Sequence, residues 1–213
     1  MTADHPADGL LESDRLRELD GLLEPIAEST LSRLHARLEA EADNRELLDV
    51  AVSTIDSPVG RILLAATEIG LVRVAFAIED HDVVLESLAA RVSPRIIQAP
   101  SRLESAARQI DDYFAGARQQ FEVPLDWQLS RGFRRQVLEH LNQIGYGHTE
   151  SYAAVAAAAG SPRAVRAVGS ACATNPLPIV VPCHRVLRSD GALGGYLGGL
   201  EAKRILLGLE GAA

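Results

Sequence analysis

The sequence predicts an α+β fold: an N-terminal antiparallel-sheet and helix domain, then a mostly helical C-terminal domain with a helix-turn-helix. Three short β-rich runs, separated by proline and glycine turns, lie between residues 49 and 76. Two short alanine-rich helical patterns joined by a glycine lie between residues 151 and 173. The first 48 residues add an acidic helical extension. We therefore divide the chain into domains at 1–48, 49–125 and 126–213.

The extension carries leucines at helical spacing in two runs, which Pro25 separates at a position suited to a first helical turn. Two interpretations stay open. The runs form an amphipathic hairpin packed on the next domain, or they mediate contacts with a partner protein or a second copy. The leucines are Leu16, Leu19, Leu22 and Leu23 in the first run and Leu31, Leu34 and Leu38 in the second.

The second domain opens with VAVSTID, GRILLAAT and GLVRVAF, which predict a three-stranded antiparallel meander. Helical patterns follow at about 80–91 and 101–115, and a short strand is predicted near 120–123. No cluster of catalytic residue types is evident in this part of the sequence.

The third domain begins with a helix for which Ser130 is the predicted N-cap. Ser151 is the predicted N-cap of the next helix, which stops at Gly160. Ser161 and Pro162 are predicted to open the helix after that, as N-cap and first-turn proline. Two such helices around a tight turn are typical of a helix-turn-helix, and a plain helical hairpin is the alternative.

The segment VVPCHRVLR raises the question of whether Cys183 is a buried spectator or a nucleophile. Residues 179–181 predict a buried, strand-like approach to it. A cysteine in apolar surroundings keeps its proton, whereas a nearby cation or histidine favours the reactive thiolate. His184 and Arg185 are the local candidates for that influence. A basic histidine also needs an acid to orient it, and the acids downstream are Asp190, Glu201 and Glu210.

Glu210 stands out among those acids because it ends a helical pattern just before Gly211. A carboxylate at a helix C-terminus opposes the macrodipole, and a residue placed against a local rule indicates a function. The alternative is a frayed terminal glutamate in solvent. Between the cysteine and this helix, SDGALGGYLGG is rich in glycine around Tyr196, which indicates close approach to a ligand.

Composition excludes several classes of protein. No apolar run approaches a membrane span, and the acidic N-terminus lacks the regions of a signal peptide, so we expect a cytoplasmic protein with reduced thiols. The cysteine spacing predicts no metal site. Residues 1–129 carry 24 acidic residues against 12 arginines, whereas 130–213 carry nine basic residues against five acidic ones. This asymmetry favours a polyanionic partner for the C-terminal domain.

Two sets of motifs resemble the O6-alkylguanine-DNA alkyltransferases, also called methylated-DNA–protein-cysteine methyltransferases. PCHR follows NPLPIVV, with SPRAVRAVG upstream and GGYLGG downstream, and DSPVGRILLAAT and GLVRVAF match the family's N-terminal module. The resemblance covers residues 50–213. It implies repair of duplex DNA by flipping out O6-alkylguanine, with O4-alkylthymine as a second candidate lesion. Transfer of the alkyl group is irreversible and single-turnover, with no cofactor.

The resemblance also implies catalytic roles. Cys183 accepts the alkyl group, His184 deprotonates it through a water, and Glu210 orients that histidine. Asn175 braces the cysteine loop. Tyr152 rotates the nucleotide and donates a proton toward the leaving base.

Other positions are implied to bind DNA or the flipped base. Arg166 is the arginine finger that replaces the flipped guanine in the stack, with Arg163 and Ala164 beside it. Arg185 is a structural or DNA-facing cation rather than a second catalyst. The guanine pocket is lined by Tyr196, Leu197 and Val186. Leucine at 197 departs from family members that have a hydroxyl there.

Two competing functions remain. One is a binding protein that senses the lesion without reacting, although proteins of that kind replace the nucleophile that this chain keeps. The other is a Cys-His hydrolase, which would turn over repeatedly and leave the helix-turn-helix without a role.

Overall fold

The computed structural model describes residues 27–45 and 47–212. The first helix, α1, runs from Glu28–Asn44, and Leu31, Leu34 and Leu38 are exposed on it. The second predicted leucine run is therefore helical. The first run, at residues 16–23, lies outside the described residues.

A four-stranded sheet lies at the centre of the N-terminal half, in the order β3-β2-β1-β4. Strands β1 (Val50–Ile55), β2 (Ile62–Ala66) and β3 (Leu71–Phe76) form the predicted antiparallel meander. Strand β4 (Ile96–Gln98) was not predicted, and it pairs parallel to β1. The sheet is therefore mixed rather than purely antiparallel.

Both faces of the sheet are buried because apolar residues occupy successive positions rather than alternate ones. One face packs on α3 (Pro100–Phe114) and on residues of the helical half, through Ile62, Leu64 and Val74. The other face packs on α2 (His81–Arg91) through Leu63, Ala65 and Val72.

The strand predicted near 120–123 does not form. The chain there runs beside β3, where Leu71 donates to the Pro124 carbonyl at 2.8 Å and Asp126 donates to the Leu71 carbonyl at 2.8 Å. Pro124 has no N–H of its own to extend this into a ladder. The result is one isolated bridge between Leu71 and Leu125.

The helical half contains α4 (Gly132–Leu141), α5 (Tyr152–Ala158), α6 (Val165–Ala173) and α7 (Gly199–Leu209). Two two-residue strands, β5 (Glu150–Ser151) and β6 (Val186–Leu187), pair in parallel. The predicted pair of short helices is confirmed as α5 and α6. No helix among the described residues is long and apolar enough to cross a membrane.

One of the three predicted N-caps is correct. The Ser151 hydroxyl accepts from the Ala154 amide at 3.1 Å at the start of α5. Ser130 is wrong, because Arg131 is the N-cap of α4 and uses no side-chain bond. Ser161 and Pro162 are wrong as well. They form a turn, in which the Ala164 backbone amide donates a hydrogen bond to the Ser161 carbonyl at 2.8 Å. Helix α6 begins only after this turn.

Candidate active site around Cys183

A buried turn at residues 177–181 directly precedes the cysteine segment and positions Cys183. Residues 179–181 are buried as predicted, but the strand-like conformation is wrong, because the Val181 amide donates to the Leu177 carbonyl at 2.8 Å and closes a turn. Ile179 takes the left-handed φ of 73°. The prolines on either side lack N–H donors, which disfavours a ladder. A short 3-10 helix, Cys183–Arg185, follows directly.

Asn175 fixes this turn from within. Its side-chain nitrogen donates to the Val181 carbonyl at 2.9 Å and to the Cys183 sulfur at 3.2 Å. Its side-chain oxygen accepts from the Leu177 amide at 3.0 Å. The residue is fully buried, so each of these polar groups needs such a partner. The predicted bracing residue therefore also contacts the sulfur itself.

Cys183 is a protonated thiol at neutral pH. Burial raises its pKa to about 11, although the hydrogen bond from Asn175 and the charge of Lys203 oppose that rise. The thiol is only 2% exposed. A reaction at this sulfur therefore requires a base that removes the proton when substrate is in place.

His184 has the geometry of that base. Its Nε2 lies 2.9 Å from a Glu210 carboxylate oxygen, and burial lowers the pKa of His184 against the opposing effect of Glu210. An ionised carboxylate only accepts, so the neutral ring must donate through Nε2 and leave Nδ1 as a bare acceptor. Nδ1 is buried and has no hydrogen-bond partner among the described residues. The ring is thus poised to accept one proton.

Glu210 is the most highly coordinated side chain of the site. Besides His184, it accepts from Tyr113 at 2.6 Å and from two nitrogens of Arg185 at 2.8 and 2.9 Å. Burial alone would raise its pKa, but the bonds from His184, Arg185 and Tyr113 outweigh this and lower the pKa to about 2. Glu210 is 5% exposed, so the alternative of a frayed glutamate in solvent is wrong.

Arg185 is a structural cation. It is 5% exposed, and its remaining donor bonds the Ile144 carbonyl. Because the guanidinium is buried and committed to Glu210, the prediction that Arg185 faces DNA is wrong. Its charge instead balances the carboxylate that orients His184.

We expect acid to destabilise this protein through the Glu210 cluster, which consists of Glu210 and its partners His184, Arg185 and Tyr113. The folded pKa of His184 lies below its ordinary 6.5, so the unfolded chain binds more protons there and stability falls as pH drops below about 6.5. The folded pKa of Glu210 is about 2 rather than 4.5, so stability falls again from about pH 4.5 downward, by about 3 kcal/mol. Urea unfolding measured at several pH values checks this, and a flat free energy below pH 4.5 would contradict it.

Two tyrosines border the cysteine segment. The Tyr196 hydroxyl is buried and has no partner within the described part of the chain, and its ring meets the His184 ring edge-on at 6.3 Å. Tyr152, the first residue of α5, packs on the glycine loop so closely that a Cβ atom at Gly194 would overlap its hydroxyl. Burial and the nearby cysteines raise the pKa of Tyr152, so its phenol remains a proton donor.

The other two residues predicted for the guanine pocket lie in different surroundings. Val186 is buried directly after the cysteine helix, and its carbonyl accepts from Lys203 at 2.6 Å. Leu197 lines a separate cavity of about 390 Å³ between α2 and α6, whose lining includes neither Cys183 nor Tyr196. The structure therefore does not bring Leu197 together with the cysteine.

Two of the predicted DNA-binding residues, Arg163 and Arg166, are exposed on the surface. Arg163 is exposed in the turn between α5 and α6, next to the half-buried Ala164. Arg166 is exposed in the first turn of α6. Residues 161–164 line a shallow, open depression. Both arginines are therefore exposed at the start of α6, next to this depression.

The sequence analysis missed Lys203, the only lysine of the chain, which is completely buried. Its signal was present: Lys203, Leu206 and Leu207 have the spacing of one helix face, so the lysine falls within the buried stripe of α7. Tyr113 was also missed. It lies on the buried face of α3, and nothing in its local sequence indicates that it meets Glu210.

Comparison with known proteins gives consistent matches. Residues 50–127 match the model of the 6-O-methylguanine DNA methyltransferase ribonuclease-like domain, and 132–212 match that of its DNA-binding domain. A constitutive methylated-DNA–protein-cysteine methyltransferase of Bacillus subtilis is 40% identical over 74% of this chain and 93% of that protein. The corresponding protein of Methanosarcina barkeri is 39% identical over 73% and 94%. A crystal structure of Mycobacterium tuberculosis OGT in complex with DNA superposes with TM-score 0.65 and 38% identity, over 75% of this chain and 92% of that one.

Proposed function

The chain belongs to the 6-O-methylguanine DNA methyltransferase family, and we propose that Cys183 is the residue to which it transfers the alkyl group. The protein is a DNA repair methyltransferase that acts on alkylated guanine in DNA and uses its own cysteine as acceptor. One observation supports Cys183 most strongly. Its sulfur is held by Asn175, and the next residue is a neutral histidine anchored on an ionised glutamate.

The transfer needs one proton acceptor and one proton donor. His184 takes the thiol proton at Nδ1, directly or through a water, and the Cys183 thiolate attacks the alkyl carbon on O6. A sulfur–carbon bond forms as the carbon–oxygen bond breaks, and its electron pair passes to the base. Tyr152 donates its phenol proton to that base, which leaves as neutral guanine, and the proton held on His184 then passes to the tyrosinate, so that both side chains end neutral. The thioether has no easy leaving group, so each molecule reacts once.

The reactive carbon is inaccessible in paired DNA, so the nucleotide must be extruded, at a cost of a few kcal/mol. Arg166, exposed at the start of α6, enters the stack in the place of the flipped guanine and offsets part of that cost. Arg163 and the small Ala164 allow the start of α6 to approach the minor groove. The positive surplus of residues 130–213 favours this contact with phosphate.

The flipped base lies beside Tyr196 and Val186. The buried Tyr196 hydroxyl would find a hydrogen-bond partner on it. Leu197 supplies no contact to O6 in this arrangement, so backbone groups take that role. O4-alkylthymine, which presents a similar alkyl ether, is a second substrate of the same pocket.

Three further expectations belong to this proposal. The chain divides functionally at 1–48, 49–125 and 126–213. The extension, with its exposed Leu31, Leu34 and Leu38, mediates protein contacts. The protein acts in the cytoplasm, where both of its free cysteines stay reduced.

The test is to locate the transferred methyl. Incubation with duplex DNA containing O6-methylguanine should place one methyl group per protein on the peptide of Cys183, and none on the peptide of Cys172. Peptide mass spectrometry with isotopically labelled methyl measures both sites. Binding without uptake would indicate a lesion sensor, and more than one turnover would indicate a hydrolase. Either result would overturn the proposal.

A further inference from the structure

The N-terminal sheet reaches the cysteine site through one arginine. Arg73, on β3, donates to the backbone carbonyl of Asn175 at 3.2 Å. On the same strand, the Val74 amide donates to the Pro176 carbonyl at 2.8 Å. The strand therefore holds the two residues that begin the cysteine turn, and the side chain of one of them, Asn175, contacts the sulfur.

Arg73 is itself fixed by Glu79, with which it forms a close ion pair that is mostly buried. The other Glu79 carboxylate oxygen accepts from the Phe76 amide at 2.9 Å. Glu79 thus ties the short 3-10 turn after β3 to the arginine. A partly buried pair of this kind is screened little by solvent, so loss of either partner leaves the other charge with a strong local effect.

We propose that Arg73 is a positioning residue for methyl transfer, which holds Asn175 in place and neutralises the Glu79 carboxylate, whose charge acts on the Cys183 thiol. The inference rests on the proposed role of Cys183. It assigns to the sheet domain a direct influence on the reacting thiol, in addition to its packing. The hydrogen bond from Arg73 to Asn175 fixes the position of the sulfur. The ion pair between Arg73 and Glu79 fixes the net charge near the thiolate.

The effect of the ion pair on the pKa of Cys183 has a definite direction. The negative charge of Glu79 raises the pKa of Cys183, so an unpaired Glu79 disfavours the thiolate further, and removal of Glu79 favours it. The other titratable or charged groups around the sulfur are unchanged by substitutions at 73 or 79. They are Lys203, Cys172, Tyr152 and Tyr196, with Arg185 and Glu210 acting through His184.

The experiment compares single-turnover methyl transfer as a function of pH. Arg73→Gln should lower the rate at neutral pH about tenfold, since it loses a charge-assisted bond. It should also move to higher pH the alkaline limb of the profile, where the rate rises as the Cys183 thiol ionises. Glu79→Gln should move that limb to lower pH. The double variant should restore the position of the limb but keep a lower rate, because the Asn175 bond is still missing. Arg73→Lys, which keeps the charge, should retain the wild-type limb.

The control is Arg61→Gln, which removes an exposed arginine from the same sheet domain and from its surface pair with Asp56. Its profile should match that of the wild type. Thermal unfolding of each variant separates loss of fold from loss of positioning. If Arg73→Gln unfolds, the opposite shift of Glu79→Gln still decides the matter.

Two failures are distinguishable. If the wild-type protein takes up no methyl, the proposed function is wrong and the positioning role of Arg73 fails with it. If the wild-type protein reacts while Arg73→Gln and Glu79→Gln keep its rate and its pH profile, the positioning role is wrong. Equal shifts in the same direction for both variants would also overturn it, because they would indicate loosened packing alone.

Discussion

Cys183→Ala should abolish methyl uptake from O6-methylguanine DNA, with a fall of at least about 10³-fold in the single-turnover rate. A thiolate is a far stronger nucleophile toward an alkyl carbon than the imidazole, phenol and carboxylate groups that remain at the site. The substitution removes one sulfur from a buried position and leaves the Glu210 cluster intact. Affinity for lesion-containing duplex should therefore persist, since Arg166 and its neighbours are unchanged.

Cys172→Ala is the matched control for this prediction. Cys172 is also a buried free thiol, and burial raises its pKa even further, but the histidine–glutamate pair of the described site directly follows Cys183 in the chain rather than Cys172. Its removal should leave methyl uptake intact. If Cys183→Ala still accumulated methyl on protein, or if Cys172→Ala lost uptake while folded, the acceptor would have to be reassigned.

The second large effect is expected for Glu210→Gln, which should destabilise the fold by about 3–5 kcal/mol. The buried Arg185 guanidinium would lose its only acidic partner among the described residues. A typical domain has only about 5–15 kcal/mol of stability, so this loss is severe. His184 would also lose the anionic acceptor that keeps Nδ1 free, and the transfer rate should fall about 10²- to 10³-fold. Denaturant unfolding and single-turnover kinetics measure the two losses.

Tyr113→Phe provides the comparison for that variant. It removes one hydrogen bond to the same carboxylate at 2.6 Å and leaves both buried charges paired. We expect a cost of about 1–3 kcal/mol and a small effect on rate. If Glu210→Gln were no more damaging than Tyr113→Phe, the ion pair with Arg185 would not be what holds the site together.

The meander, the α5 cap at Ser151 and the burial of the cysteine approach could be predicted because each depends on residues close together in the chain. The same local reasoning was wrong at Ser161 and Pro162. Cap and first-turn preferences there compete with a turn that the glycine before them already starts, and the turn prevails. Strand β4 was missed because its two isoleucines and one glutamine, close after Pro94, carry too little periodic signal.

The candidate site likewise has residues that the sequence identifies and partners that only the fold brings to them. Cys183 and His184 belong to a recognisable motif, and Glu210 is an acid at an unfavourable helix end, so the sequence alone could identify all three. The partners that give them their properties come from distant parts of the chain: Tyr113 from α3, Arg73 from β3, and Lys203 from α7. Those contacts depend on how the sheet packs against the helices. For the same reason, the sequence could not decide whether Arg185 was structural or faced DNA.

The contact between Tyr152 and Gly194 sets a limit on any redesign of the loop for bulkier adducts. A library that randomises position 194 should mostly return inactive clones, since a Cβ atom there would overlap the Tyr152 phenol, for which we propose a role toward the leaving base. Gly195 has open space around its would-be Cβ and takes an ordinary backbone φ. Substitutions at position 195 should therefore be tolerated. Two neighbouring glycines that look equivalent in the sequence should thus differ in their tolerance to mutation.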